Sequence, residues 1–194
     1  MAEADRAKWN ERYQDGYAAH GHPSTVLQQW VSRIPRGRAL DLACGSGRNA
    51  LFLASHGFEV DAVDISNAAL DRARERAREA GLQINWIEHD LDQPLTLAAG
   101  YALILAVRFM NLPLIRDLTA LLVPGGYLVC EQHLVTVADV AGPTDPAFRV
   151  KPGELKQLAQ GLRVHYFEEA LTHDPDRRPV ALAQLVAQRL PQAG

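Results

Sequence analysis

Residues 39–50, Ala-Leu-Asp-Leu-Ala-Cys-Gly-Ser-Gly-Arg-Asn-Ala, decide how this chain folds. An apolar run (Ala39, Leu40, Leu42, Ala43) carries one acid, Asp41, and breaks at Gly45 and Gly47 before a helical pattern begins. Glycines at such a break permit a sharp turn and a close approach of ligand to backbone. The helix behind them presents unpaired N–H groups to whatever lies there. A carboxylate inside an apolar strand needs a partner, and a ligand with a cationic amino group supplies one. Gly45, Gly47 and Ala50 also satisfy the dinucleotide fingerprint G-x-G-x-x-G/A. Asp41 would repel a pyrophosphate and attract an ammonium, so the acid tilts the reading away from a dinucleotide.

Working outward, a chain of 194 residues suits one domain, 1–194, with cap helices over 1–34 and a core over 37–194. The formal charge of −3 gives no general attraction to phosphate backbones, which counts against a nucleic-acid partner. Cys44 and Cys130 sit in apolar runs and read as buried thiols in a reducing compartment. No apolar segment is long enough to span a membrane, and residues 1–15 are too polar for a secretory signal. The expected location is cytoplasmic.

The pattern predicts a polar helix over 4–14, ending near Gly16. A second, opened by Pro23 and Ser24, has Val26, Leu27, Trp30, Val31 and Ile34 as its buried side. Strands follow at 38–43, 58–63, 84–88, 101–107 and 126–132, with helices over 47–57, from Ser66 or Asn67 to Gly81, and over 112–122. On the helix after Ser66, Leu70, Ala73, Ala77 and Ala80 form a packing stripe, and its arginines, interleaved with acids, form a solvated face. Residues 134–153 read as a long loop and 153–160 as a short helix. An antiparallel pair, 162–168 and 180–187, closes the pattern, though Leu182, Leu185, Val186 and Leu190 also fit a helical period. Alternating strands and helices imply a three-layer α/β sheet, mostly parallel, with its ligand beyond the strands' carboxyl ends near the strand-one switch point.

Three acids stand at three successive strand ends: Asp41, Asp64 and Asp90. With the Cys-Gly-x-Gly turn, this arrangement resembles class I S-adenosylmethionine-dependent methyltransferases, and the Leu-Val-Pro-Gly-Gly-Tyr-Leu stretch at 122–128 is similar to the turn before their fifth strand. The resemblance covers about residues 38–133. It implies a Rossmann-like methyltransferase fold and S-adenosyl-L-methionine as cofactor. Asp41, Ala43, Cys44, Gly45 and Gly47 would face its aminoacyl end, Asp64 and Ile65 the ribose, and Asp90 and Leu91 the adenine, with Val107 beside them. Trp9, Arg12 and Tyr13, at i, i+3 and i+4, share one helix face. They resemble the Trp-x-x-Arg-Tyr start of the tellurite-resistance-like and thiol or thiopurine methyltransferase groups, the former more closely, where that face closes over the cofactor. A helix face packed on the protein body is the equal alternative.

The resemblance implies transfer of a methyl group to a small molecule, a thiol or chalcogen oxyanion among the options. A non-catalytic S-adenosylmethionine-binding module and, less favoured, a nicotinamide oxidoreductase are the competing readings. No catalytic residue is identified; Arg108 and His133 are candidates, with Asn111 and Glu131 nearby at the same strand ends. Phe148, Arg149 and Lys151 in the long loop are expected near the acceptor, and Tyr17, His20 and His22 in a lid. No metal-ligand spacing stands out. The oligomeric state is not legible.

Overall fold

The computed structural model describes residues 2–15 and 21–191. Seven strands form one sheet: β1 (Arg38–Leu42), β2 (Glu59–Asp64), β3 (Asn85–Glu88), β4 (Tyr101–Val107), β5 (Leu122–His133), β6 (Arg163–His173) and β7 (Pro179–Gln188). Their order is β3-β2-β1-β4-β5-β7-β6. The first five run parallel, and β7 lies antiparallel between β5 and β6. Strand order reverses at β1, as expected of a doubly wound sheet.

Helices α1 (Ala2–Gln14), α2 (Thr25–Trp30), α3 (Arg48–Ser55), α4 (Asn67–Glu79) and α5 (Leu112–Leu118) complete the alternation. Two apolar clusters cover the two faces of the sheet. One joins α2, α3 and α4 to Ala39, Ala62, Leu103, Leu105 and Val129. The other joins α5 and the 3₁₀ turn Leu155–Ala159 to Leu40, Leu42, Ile104, Ala106 and Leu128. Burial on both faces is why β4 reads Tyr-Ala-Leu-Ile-Leu-Ala-Val, every residue of it buried. Period-two alternation puts Asp41 on the α3 side of β1, between Leu40 and Leu42 on the other face.

Several bounds differ from the sequence reading. The helix expected over 112–122 stops at Leu118, passes through a 3₁₀ turn, and β5 starts at Leu122. Pro124-Gly125-Gly126, read as a turn before the strand, is inside it. The β4–β5 pairing shifts register there, and the Gly125 N–H donates to the Arg189 carbonyl at 2.7 Å. An irregular pairing is where a strand tolerates proline. Residues 180–187 are strand, as the antiparallel reading had them, and are buried on both faces by their place inside the sheet. Strand β6 runs five residues past its expected end, and the short helix of 153–160 is 3₁₀. Ala80, assigned to the packing stripe of α4, is exposed, while Leu70, Ala73 and Ala77 are buried.

Candidate cofactor and acceptor site

The register sets Leu42 level with Val63 on β2 and Ala106 on β4, so the carboxyl ends of the three central strands open on one rim. The chain leaves β1 through left-handed Ala43, Gly45 and Gly47. Asp64, at the end of β2, holds that turn. Its Oδ2 accepts the Gly45 N–H at 2.7 Å and its Oδ1 accepts the Ser66 N–H at 2.8 Å. Burial pushes its carboxyl up, against these backbone donors.

The side-chain directions at the two glycines are taken by the protein. A side chain at Gly45 would collide with the Tyr13 hydroxyl, and a Cβ at Gly47 would lie 2.7 Å from the Trp86 ring and 3.0 Å from the Ala73 Cβ. Both positions need glycine for backbone geometry and for packing. What the glycines hold in place is a tight backbone turn between Tyr13, Trp86 and Ala73.

Asp41 is 1 % exposed, and the Ala50 N–H at the first turn of α3 donates to it, yet its Oδ2 has no partner. Burial pushes the carboxyl up to about 7, opposed by the charge of Arg48 and reinforced by Asp64. Asp90 repeats the pattern after β3. Its Oδ1 accepts the Asp92 N–H at 3.0 Å, and its Oδ2 is buried without a partner. A buried carboxylate oxygen left unpaired costs free energy of about 1–3 kcal/mol or more. Both carboxylates stand at the carboxyl-end side of the sheet. Cys44, Leu91 and Val107 are buried and Ala43 and Ile65 half-buried around the same rim.

Helix α1 lies against this region. Asn10 Oδ1 accepts from the Ser66 hydroxyl at 2.8 Å and the Ala68 N–H at 3.3 Å, which seats α1 on the start of α4. Trp9 and Tyr13 lie with ring centroids 6.3 Å apart, and the Arg12 guanidinium stands 4.9 Å from the Trp9 ring. Tyr13 is buried and Trp9 half-buried, while Arg12 is exposed.

At the ends of β4 and β5 the structure builds a charged cluster that the sequence only partly revealed. Arg108, left-handed at φ 58°, donates to both carboxylate oxygens of Asp174, and its Nε lies 3.5 Å from Glu131 Oε1. Glu131 Oε2 accepts from the Gln184 amide at 2.8 Å and the Ser24 hydroxyl at 3.2 Å. Arg108, one of the two candidates from the sequence, has its charge met inside the protein by Asp174 and Glu131. Glu131 serves that cluster, and Asn111 caps α5, accepting the Leu114 N–H at 3.1 Å.

His133 is buried, with the Gly142 backbone against its ring and its Nδ1 unpartnered. Burial, with the charges of Arg108 and Arg149, lowers it to about 4. At neutral pH it is an uncharged imidazole and a weak base.

Arg149 is spent on the loop itself, donating to the Pro143 and Leu134 carbonyls at 2.8 and 2.9 Å. Phe148 and Lys151 are exposed, as is His22, whose carbonyl accepts from Arg48 at 3.3 Å. Tyr17 and His20 lie outside the described residues. The residues the sequence reading missed are Arg48, Asp174, Gln184 and Ser24. Among the described residues no cluster of His, Cys, Asp and Glu is placed to hold a metal, and no helix is long and apolar enough to cross a membrane.

This strand order, with carboxylates at three adjacent strand ends, defines a class I methyltransferase sheet. Residues 39–126 match the family described as a methyltransferase domain. Hemagglutinin 1 of Eikenella corrodens is 32 % identical over 176 residues, 84 % of this chain and 58 % of that protein. A ubiquinone biosynthesis O-methyltransferase of Coxiella burnetii is 29 % identical over 147 residues, 64 % of this chain and 63 % of that protein. The chain thus spans about three fifths of these curated relatives. Among solved structures, TehB from Haemophilus influenzae superposes with a TM-score of 0.74 at 22 % identity, covering 93 % of this chain and 67 % of that one. It represents the tellurite-resistance-like group that the N-terminal motif resembles.

The residues present fit the cofactor of this class. The unpaired Asp41 Oδ2 suits its ammonium, the unpaired Asp90 Oδ2 suits the adenine amino group, and Asp64 keeps acceptor capacity beyond its two backbone bonds.

Proposed function

We propose that the chain works as one methyltransferase domain over 1–194, transferring a methyl group from S-adenosylmethionine to a small-molecule acceptor. When bound, the cofactor supplies a methyl carbon on a sulfonium, whose electron pair stays with sulfur as the new bond forms. The protein's own work is positional. Asp41 holds the aminoacyl ammonium, Asp64 and Ile65 the ribose, and Asp90 and Leu91 the adenine. Ala43, Cys44, Gly45, Gly47 and Val107 line the intervening wall. Trp9, Arg12 and Tyr13 on α1 bound the site from outside. The single observation that supports this reading is the pair of buried, unpartnered oxygens on Asp41, near the end of β1, and on Asp90, just past β3, two strands away in the sheet.

His133 and Arg108 bear on the acceptor. With His133 held near 4 and Arg108 matched by Asp174, neither is poised to take a proton at neutral pH. That favours an acceptor that arrives already ionised, such as a thiolate, a carboxylate or a chalcogen oxyanion. The named O-methyltransferase relative keeps oxygen acceptors in view. The net charge of −3 favours a small molecule over nucleic acid, in a cytoplasmic setting.

The test is thermal-shift titration with S-adenosylmethionine, S-adenosylhomocysteine, NADH and NADPH, followed by an assay of S-adenosylhomocysteine release against thiols, carboxylates, chalcogen oxyanions and phenols. Stabilisation by the sulfur cofactors with turnover of an ionised acceptor is expected. Stabilisation by nicotinamides alone would overturn the reading. Cofactor binding without turnover of any acceptor in the panel would favour the binding module.

A further inference from the structure

We infer that the groove between α2 and the β6–β7 hairpin binds a small primary amine in its ammonium form. Period two along β6 sets Tyr166, Glu168 and Ala170 on one face of the sheet. Helix α2 is only six residues long, and Thr25 stands on its side of the gap that it leaves beside β6. Leu182 and Gln184 of β7 lie buried beneath, and the whole encloses a cavity of about 210 Å³. Leu182 and Gln184 stand level with His133 and Glu131 on β5, so the groove lies one strand outside them. It does not depend on the cofactor reading above.

Hydrogen-bond accounting sets the chemistry. The Gln184 amide nitrogen donates to Glu131 at 2.8 Å and to the Thr25 hydroxyl at 3.5 Å. That turns its carbonyl oxygen toward the Tyr166 hydroxyl, 3.3 Å away. The same hydroxyl lies 2.7 Å from Glu168 Oε2. Burial and the bond to Glu168 push the Tyr166 hydroxyl up to about 12, so it keeps its proton at neutral pH. It has one hydrogen for two acceptors, and the shorter bond claims it for Glu168. The oxygen of Gln184, a residue 9 % exposed, then faces lone pairs. Among the described residues Glu168 is the one acid of the lining and forms no ion pair, no lysine or arginine lines the groove, and His173 stands at its end. A neutral hydroxyl ligand supplies a donor without charge, and a quaternary ammonium supplies charge without a donor. A primary ammonium supplies both, an N–H for Gln184 and a countercharge for Glu168. The alkyl chain behind it covers Ala170 and Leu182.

The test is an amide-shift titration of the isotope-labelled full chain with n-butylammonium, butanol and tetramethylammonium. n-Butylammonium should give saturable shifts at Thr25, Ala170, Leu182 and the Gln184 side-chain amide. It should bind about tenfold more tightly than either comparator, the lower range for a charge-assisted bond at a half-open site. Glu168→Gln, which keeps the shape and removes the charge, should weaken it about tenfold. Ala170→Leu, which fills the groove, should abolish the shifts; if that variant fails to fold, Glu168→Gln decides alone. Equal affinity for tetramethylammonium would reduce the groove to an acidic surface and overturn the inference. Shifts that do not saturate, that fall outside the groove, or that keep their affinity in Glu168→Gln overturn it as well.

Discussion

Replacing Asp41 with Asn should stabilise the free protein while weakening its hold on cofactor. The carboxyl is pushed from its ordinary 3.8 to about 7 in the folded chain, chiefly by burial. The folded state then holds this proton more tightly than the unfolded state. Stability is therefore highest below 3.8 and is lost as pH rises from that value through about 7. At ~1.36 kcal/mol per tenfold change in proton affinity, the gap is worth about 4 kcal/mol. Asn keeps the shape and can accept the Ala50 N–H, but it cannot ionise. At pH 8 Asp41→Asn should therefore be more stable than the parent by about 4 kcal/mol, or roughly 8–16 °C in Tm for a chain of this size. At pH 5 the folded carboxyl is still protonated, and the gain should shrink to about 2 kcal/mol. Urea unfolding at the two pH values measures both. The same variant should bind S-adenosylhomocysteine about 10- to 100-fold more weakly, having lost a charge-assisted bond to the ammonium. Identical unfolding midpoints at pH 8 would refute the reasoning, because they would mean that the carboxylate is already compensated in the free protein.

Other outcomes follow from the same geometry. Cofactor affinity should rise with pH up to about 7 and then level off, since the ammonium selects the ionised Asp41; calorimetry across buffers of different ionisation enthalpy should detect proton release below neutrality, and a flat profile would count against the pairing. Asp64→Ala strands the Gly45 and Ser66 N–H groups, so it should lower stability by about 2–4 kcal/mol as well as abolish the cofactor's thermal shift; unchanged urea unfolding would mean that Asp64 does not hold the turn. Gly47→Ala, at φ 79° and against the Trp86 ring, should cost about 1–3 kcal/mol, read as a lower Tm. Arg108→Met removes a cation paired with the buried Asp174 and Glu131 and should cost about 3–5 kcal/mol. Adding Asp174→Asn should restore part of that loss, and strictly additive effects would show the pair to be uncoupled.

The strands that carry the site were legible in the sequence because they are buried on both faces. The apolar runs of β1, β2 and β4 admit one reading, and their ends fall within a residue of expectation. The acids Asp41, Asp64 and Asp90 were visible as residues that an apolar strand end does not otherwise need. Where pairing rather than composition sets the outcome, the sequence was silent. Pro124-Gly125-Gly126 has turn chemistry, yet Leu122 finds Tyr101 and draws the segment into β5. Residues 179–188 fit two periods, and their place between β5 and β6 decides for strand. The charged cluster was hidden for a related reason. Arg108, Glu131, Asp174 and Gln184 are far apart in the chain, and Asp174 by itself is an ordinary turn residue.

The place of β7 has a consequence for how the chain is made. Strand β6 pairs with β7 alone, and β7 follows it in the sequence while occupying the position beside β5. During synthesis β6 therefore emerges before the strand that will join it to the sheet, and β5 waits with a bare edge over the same interval. Non-local antiparallel pairing of this kind is slow relative to local structure. The nascent chain thus passes through a stage in which the five parallel strands are complete and two strand edges are open to other partners. The residues from Pro179 to Gln188 end that stage in a single addition, closing the edge of β5 and capturing β6 together.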